Sequence, residues 1–170
     1  MAINKEEQSL VDQLQELRPR LRSFAYTLTQ SEDMADEAAQ ETVSRAWQHL
    51  HQWRGESFES WVFRILRSYC ANEFRRLDVR AKAKDRLEIM AERDSESATK
   101  AKVVELDVNR ALAELSVDHR AVVHLVVKLK RTYREAAEIL DIPIGTVESR
   151  LFRAREILKK RLRAYAPAKG

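Results

Sequence analysis

Residues 132 to 155 read Thr132-Tyr-Arg-Glu-Ala-Ala-Glu-Ile-Leu140, then Asp141-Ile-Pro143, then Ile144-Gly-Thr-Val-Glu-Ser-Arg-Leu-Phe-Arg-Ala-Arg155. Thr132 followed three residues on by Glu135 is a capping box, which gives a first helix a defined start. Ala136, Ala137, Ile139 and Leu140 offer small and apolar contacts that let a second helix cross closely. Pro143 suits the first turn of that second helix, where its missing N–H costs nothing. From there Ile144, Val147, Leu151, Ala154, Leu158 and Leu162 recur at three- and four-residue steps and predict one buried stripe. With the stripe inward, Gly145, Glu148, Ser149, Phe152 and Arg153 face outward. Two short helices around a sharp turn, the second rich in arginine, have the form of a DNA-reading helix-turn-helix. An ordinary amphipathic hairpin with a solvated basic face shares the periodicity; the arginines favour DNA.

The rest of the chain is written in the same helical style. Its 170 residues hold three glycines and three prolines against 34% charged residues, which predicts an all-α protein. Leu10, Leu14, Leu17, Leu21, Phe24 and Leu28 form one stripe, with a kink or restart expected at Pro19. Ser31 caps a second helix that starts on Glu32 and Asp33 and runs to about Leu50. A loop from Gln52 to Ser57, broken at Gly55, leads to a third helix from Phe58 to Arg76. Its apolar face is Phe58, Trp61, Val62, Ile65, Leu66 and Tyr69, with Arg64, Arg67, Ser68, Asn72, Arg75 and Arg76 largely opposite.

Between Asp78 and about Lys102 the apolar content falls into mixed charge and alanine, so a tether is expected there. A second block begins near Val104, with one helix marked by Val108, Ala111, Leu112 and Leu115. Ser116 caps another that carries Val122, Leu125, Val126 and Leu129. The chain thus divides into two small helical domains and a charged linker.

Charge and chemistry narrow the function. The net charge of +4 is modest, but Arg150, Arg153, Arg155, Lys159, Lys160, Arg161 and Arg163 crowd the last helix. Glu32, Asp33, Asp36, Glu37 and Glu41 crowd an early one, so two surfaces with different partners are expected. The single cysteine, Cys70, excludes an internal disulfide and suits a reducing cytoplasm. The polar start and the lack of a long apolar run predict no secretory signal and no membrane insertion. His49, His51, His119 and His124 stand at no metal-ligand spacing, and no phosphate loop or nucleophile elbow occurs, so no metal, cofactor or catalytic site is expected.

On the third helix Phe58, Trp61, Phe63 and Tyr69 interleave with Arg64, Arg67, Arg75 and Arg76. That mixture suits unstacked bases held beside phosphates; the same aromatics equally suit a plain core.

These segments, in this order, resemble the extracytoplasmic-function group of bacterial sigma factors, which keeps only sigma domains two and four. Ala35-Asp-Glu-Ala-Ala-Gln-Glu-Thr42 is similar to the family's segment for the β′ clamp helices of RNA polymerase. Phe58-Glu-Ser-Trp61-Val-Phe-Arg-Ile65 resembles its promoter-melting segment, and Ile65 to Arg76 its minus-ten helix. Ile144 to Arg155 resembles its minus-thirty-five recognition helix.

The resemblance implies domain two over 8–77, a linker over 78–103 and domain four over 104–166. It implies an alternative sigma factor, not an enzyme, that directs promoter-specific initiation in a stress or envelope response. It assigns Asp36, Glu37, Gln40 and Glu41 to core polymerase. To minus-ten DNA it assigns Arg54, Ser57, Phe58, Trp61, Arg64, Arg67, Ser68, Asn72, Arg75 and Arg76. To minus-thirty-five DNA it assigns Gly145, Thr146, Glu148, Ser149, Phe152 and Arg153, with Arg120, Arg131 and Tyr133 near phosphates. The implied partners are core RNA polymerase (β′ clamp helices and β flap), promoter DNA and an anti-sigma factor, met by a cytoplasmic chain that is a monomer when free. Three positions depart from the family pattern: Ser68 for a common asparagine, Glu148 for a basic residue and Lys130 for a glycine. The rival readings are a response-regulator-like activator and a helical adaptor that binds only protein.

Overall fold

The computed structural model describes residues 5–55, 57–83 and 100–165. They form α1 (Lys5–Thr29), α2 (Glu32–Gln48), a single turn at Leu50–Gln52, and α3 (Phe58–Ala83). The second block is α4 (Lys100–Ala113), α5 (Val117–Val123) running into a widened π turn (His124–Lys128), α6 (Tyr133–Leu140), α7 (Ile144–Arg161) and a final turn at Arg163–Tyr165. Among the described residues there is no strand.

Local signals set the element ends. The Ser31 hydroxyl accepts the Met34 N–H at the start of α2, and the Ser116 hydroxyl accepts the His119 N–H at the start of α5. Helix α1 runs through Pro19 as one helix, so the chain does not restart there. Pro19 and Gln15, whose carbonyl the proline cannot serve, both lie on the exposed side, where water can hydrate that carbonyl. Leu14, Leu17 and Leu21 meanwhile anchor the inner face. Helix α3 continues to Ala83, seven residues beyond Arg76, so the start of the expected tether is helical. Positions 84–99 of that tether lie outside the described residues.

The helices stack by side-chain size. Helix α2 turns Ala35, Ala38, Ala39, Thr42 and Ala46 inward. Such short side chains let it lie close to α1, because the spacing of packed helices follows the residues at the contact. Helix α3 buries a wider arc than its expected stripe: Phe63 is fully enclosed and Ile65 only partly. The reason is a second neighbour. Helix α3 packs on α1 and α2 and also on α6.

The two blocks share one apolar core. Leu21, Phe24, Leu28, Val62, Phe63 and Leu66 of the first join Val122, Leu125, Ile139, Val147 and Leu151 of the second. His124 stands at the seam. Its ring lies 5.4 Å from that of Phe24, and its Nδ1 is 2.6 Å from the Thr27 hydroxyl. Burial, aided by the nearby Lys128 ammonium, pushes the His124 imidazole down to about 3. Cys70 packs as an apolar residue, its thiol pushed up to about 11 by burial.

Two stability measurements follow from these details. Between about pH 6.5 and 3 the unfolded chain takes up a His124 proton that the folded chain refuses. The stability held by neutral His124 is therefore complete above that window and is lost as pH falls through it. From pH 7.5 to 5.5 the wild type should lose roughly 1 kcal/mol more unfolding free energy in urea than His124→Leu. Equal losses would show that His124 titrates normally in the fold. Lys130 sits in left-handed backbone (φ 56°), a conformation that a glycine adopts without strain. Lys130→Gly should raise the unfolding free energy by up to about 1 kcal/mol, read as a higher urea midpoint, whereas Lys130→Val should lower it.

Candidate nucleic-acid interface and docking face

The helix-turn-helix is built as its sequence demands. The Thr132 hydroxyl accepts the Glu135 N–H at 3.2 Å, and Glu135 Oε2 accepts the Thr132 N–H at 2.8 Å. That backbone hydrogen bond holds the Glu135 carboxyl below its usual range, helped by the Thr132 hydroxyl and by Arg131. Asp141 in left-handed backbone (φ 51°) ends α6, and the Ile142 N–H returns to the Ala137 carbonyl at 3.1 Å. Ala136, Ala137, Ile139 and Leu140 are buried, on a helix that packs against both α7 and α3.

Helix α7 buries Val147, Leu151 and Ala154. Ile144, expected in that stripe, is instead 45% exposed. It opens the helix directly after the turn at Pro143, ahead of the buried stripe that begins at Val147. Leu158 and Leu162 are half-buried near the far end. Gly145, Glu148, Ser149 and Arg153 are exposed, Thr146 is half-buried, and Phe152 is 66% exposed. A phenylalanine this exposed costs apolar hydration unless something covers it. Gly145 has ordinary φ, and a Cβ there would meet nothing within 4 Å. Neither backbone geometry nor packing within the chain requires the glycine.

The basic residues of α7 divide in two. Arg150 pairs with Asp118 at 2.9 Å, and Arg161 pairs with Glu114 at 2.6 Å, so both tie α7 to its own block. Arg153, Arg155 and Lys160 are exposed, as is Arg163 in the final turn, and Lys159 pairs with Glu156 along the helix at 3.0 Å.

Three residues assigned to minus-thirty-five DNA do not join this outer face. Arg120 donates from Nε to the Thr27 carbonyl at 3.1 Å, and from Nη1 to those of Ala113 (3.1 Å) and Leu115 (2.7 Å). Burial holds its guanidinium below the ordinary arginine value. The Arg131 side chain, 12% exposed, lies between Glu59 and Glu135, and Tyr133 packs partly into the core. The placement has a physical reason: carbonyls of the chain take donors of Arg120, and carboxylates of Glu59 and Glu135 take donors of Arg131, that a phosphate would otherwise take.

The minus-ten candidates also separate. Phe58 and Trp61 are each 8% exposed; the Phe58 ring meets Trp53 edge to face (centroids 5.3 Å) and Trp61 at a tilt (5.8 Å). In this arrangement they serve the core, and neither ring is offered to a base. The Ser57 hydroxyl accepts the Ser60 N–H at the start of α3. Arg54, Ser57, Ser68, Asn72, Arg75 and Arg76 are exposed, and Arg64 and Arg67 are half-buried. Arg75 donates to Asn72 at 2.6 Å and Arg76 to Glu73 at 2.7 Å, which holds these forks along the helix.

On α2, Asp36, Glu37 and Gln40 are exposed and Glu41 is half-buried. Arg22 of α1 bridges Asp36 (2.5 Å) and Glu32, and its hydrogen bond holds the Asp36 carboxyl below the usual range. The Tyr69 hydroxyl donates to Glu37 at 3.0 Å, and burial with that bond pushes Tyr69 up to about 12. Arg45 pairs with Glu41 at 2.8 Å and lies over the Tyr69 ring at 4.9 Å. The acidic face is therefore pre-ordered by Arg22, Arg45 and Tyr69, none of which the sequence reading placed there. The Glu41–Arg45 spacing of four was a legible signal; the Arg22 bridge from another helix was not. Among the described residues no cluster of His, Cys, Asp and Glu is arranged to hold a metal, and no helix is long and apolar enough to cross a membrane.

Comparison with known proteins gives a consistent result. The sigma-70 region 2 family matches residues 14–80, and the sigma-70 region 4 family matches residues 105–158. The ECF RNA polymerase sigma factor EcfG of Rhodopseudomonas palustris is 32% identical over 88% of this chain and 83% of its own. The RNA polymerase sigma-H factor of Pseudomonas aeruginosa is 30% identical over 75% of this chain and 72% of its own. Among solved structures, the sigma factor RpoE in complex with the anti-sigma factor NepR, from Bartonella quintana, aligns with a TM-score of 0.71 and 27% identity. That alignment covers 91% of this chain and 97% of that one.

The open surroundings of Gly145 generate a measurement. Gly145→Ala should keep the fold and gain up to about 1 kcal/mol from helix propensity, read as a raised urea midpoint. A lowered midpoint would mean that the chain itself needs the glycine.

Proposed function

The chain belongs to the extracytoplasmic-function family of RNA polymerase sigma factors, and from that membership we propose how its surfaces divide the work of promoter-specific initiation. Sigma factors are transcription initiation factors and not enzymes. Residues 8–77 act as domain two, residues 104–166 as domain four, and 78–103 as the linker. Asp36, Glu37, Gln40 and Glu41 meet basic residues of the β′ clamp helices, and domain four meets the β flap. The exposed Arg54, Ser57, Ser68, Asn72, Arg75 and Arg76, with the half-buried Arg64 and Arg67, follow minus-ten DNA. An anti-sigma factor, of the kind that binds the RpoE relative, holds the free chain, which works as a cytoplasmic monomer.

The observation that carries the reading is the outer face of α7. It presents Gly145, Glu148, Ser149 and Arg153 around Phe152, a phenylalanine 66% exposed among the described residues. A helix of this shape fits the major groove, where side chains near its start reach base edges. Gly145 leaves room for the DNA backbone. The planar fork of Arg153 matches guanine O6 and N7 or a phosphate, and Glu148 can accept from a cytosine amino group.

Run-off transcription with purified core polymerase on a genomic promoter library tests the function and returns both promoter elements. The expected result is discrete transcripts that depend on this chain; none from any template would reject the reading. On the promoter recovered, Arg153→Ala should cost roughly 1–3 kcal/mol of duplex binding if the contact is to a base. Glu148→Lys should tighten binding, steepen the salt dependence by about one ion and relax selectivity at one base pair. Titrations at several salt concentrations, on matched and single-base-changed duplexes, read all three effects. No change in any of them would mean that position 148 faces solvent in the complex.

A further inference from the structure

Trp47, near the end of α2, stands apart from the other large aromatics around it. Phe58 and Trp61 are buried and Trp53 packs partly against the core, whereas Trp47 is 42% exposed. Among the described residues its indole N–H has no acceptor and its ring meets no other ring. A tryptophan left this open forgoes the large apolar burial that its ring offers. Its place along α2 matters as much as its exposure. From Asp36 to Trp47 is eleven residues, about three turns; from Gln40 it is seven, about two turns or roughly 10 Å along the axis. The indole therefore shares one row with Asp36 and Gln40. A long helical side chain leans over the turn before it, and there Val43 is half-buried and the exposed Ser44 is short.

We propose that Trp47 is the apolar anchor of the polymerase-docking face, entering an apolar cleft on the same core surface whose basic residues meet Asp36 and Glu37. The inference rests on the reading of α2 as the docking helix, and it extends that face by about two turns. Charge decides between occupants. Asp33, Asp36 and Glu37 are exposed on the same side of α2, so the phosphates of a nucleic acid are repelled from the row. A second copy of the chain, paired about a two-fold axis, would set this acidic row against itself. A basic surface with an apolar cleft suits both halves of the row. The carboxylates steer the encounter and fix its register, and the buried indole slows dissociation.

The test titrates purified core polymerase with the full chain at several salt concentrations and follows the unfolding of each variant in urea. Trp47→Ala should weaken core binding by about tenfold or more, chiefly through faster dissociation, and leave the slope of affinity against salt unchanged. Trp47→Phe should recover part of the loss. Asp36→Asn should instead flatten the salt slope. Leu77→Ala trims an apolar side chain of equal exposure (42%) on α3 and should stay within about twofold of wild type. Trp47→Gln, another good helix former, repeats the truncation. The anchor is overturned if either truncated variant, still folded, binds core within about twofold of wild type or no more weakly than Leu77→Ala. It is equally overturned if both truncations lose the cooperative urea transition, because the indole then belongs to the core of the fold. A loss that comes with the flattened salt slope of Asp36→Asn, or with an equal loss of random-sequence duplex binding, overturns it too. Failure of the docking reading is distinct, since Asp36→Arg then leaves core affinity unchanged. Failure of the sigma-factor reading shows as a wild-type chain that binds no core and yields no run-off transcript.

Discussion

Phe24 lies where α1, α3 and the π turn after α5 converge, its ring 5.7 Å from Phe63 and 5.4 Å from His124. Burying three rings at one point fixes the spacing of these elements, since tilted ring pairs tolerate only a narrow range of separation and angle. The polar contacts of the seam depend on that spacing. Thr27 reaches His124, Arg120 reaches the Thr27 carbonyl, and Glu59 reaches Arg131 because the apolar core beneath sets the distance.

The arrangement sorts the arginines into two populations. Arg120, Arg131, Arg150 and Arg161 are bound to oxygens of the chain and act as struts. Arg153 and Arg155 keep their donors toward water on the outer side of α7. Solvated guanidinium groups meet phosphate at little desolvation cost beyond that of the contact, whereas a strut must first give up a carboxylate or a carbonyl. A basic composition alone therefore overstates the surface ready for DNA.

The acidic side follows a related economy of charge. Asp36 and Glu32 share Arg22, Glu41 has Arg45, and Glu37 accepts a hydrogen bond from the Tyr69 hydroxyl. Exposed pairs of this kind add little stability. They do hold the carboxylates in fixed positions while leaving them at the surface, the condition for meeting a basic partner in one register.

Much of the local structure was legible in the chain. The capping box at Thr132 and Glu135, the caps at Ser31 and Ser116, and the Val147, Leu151 and Ala154 stripe all rest on interactions within about one helical turn. The outward set from Gly145 to Arg153 was legible for the same reason, since burying one stripe determines the opposite face. What the sequence did not determine is how many faces a helix buries and which distant oxygen takes a given cation. Helix α3 meets α1, α2 and α6 together, so Phe63 went inward along with Phe58 and Trp61. Arg131 met Glu59 from 72 positions away, and Arg120 met Thr27 from 93. Such pairings leave no periodicity in the chain; they arise only when packing brings the two blocks into contact, and the tertiary structure alone decides them.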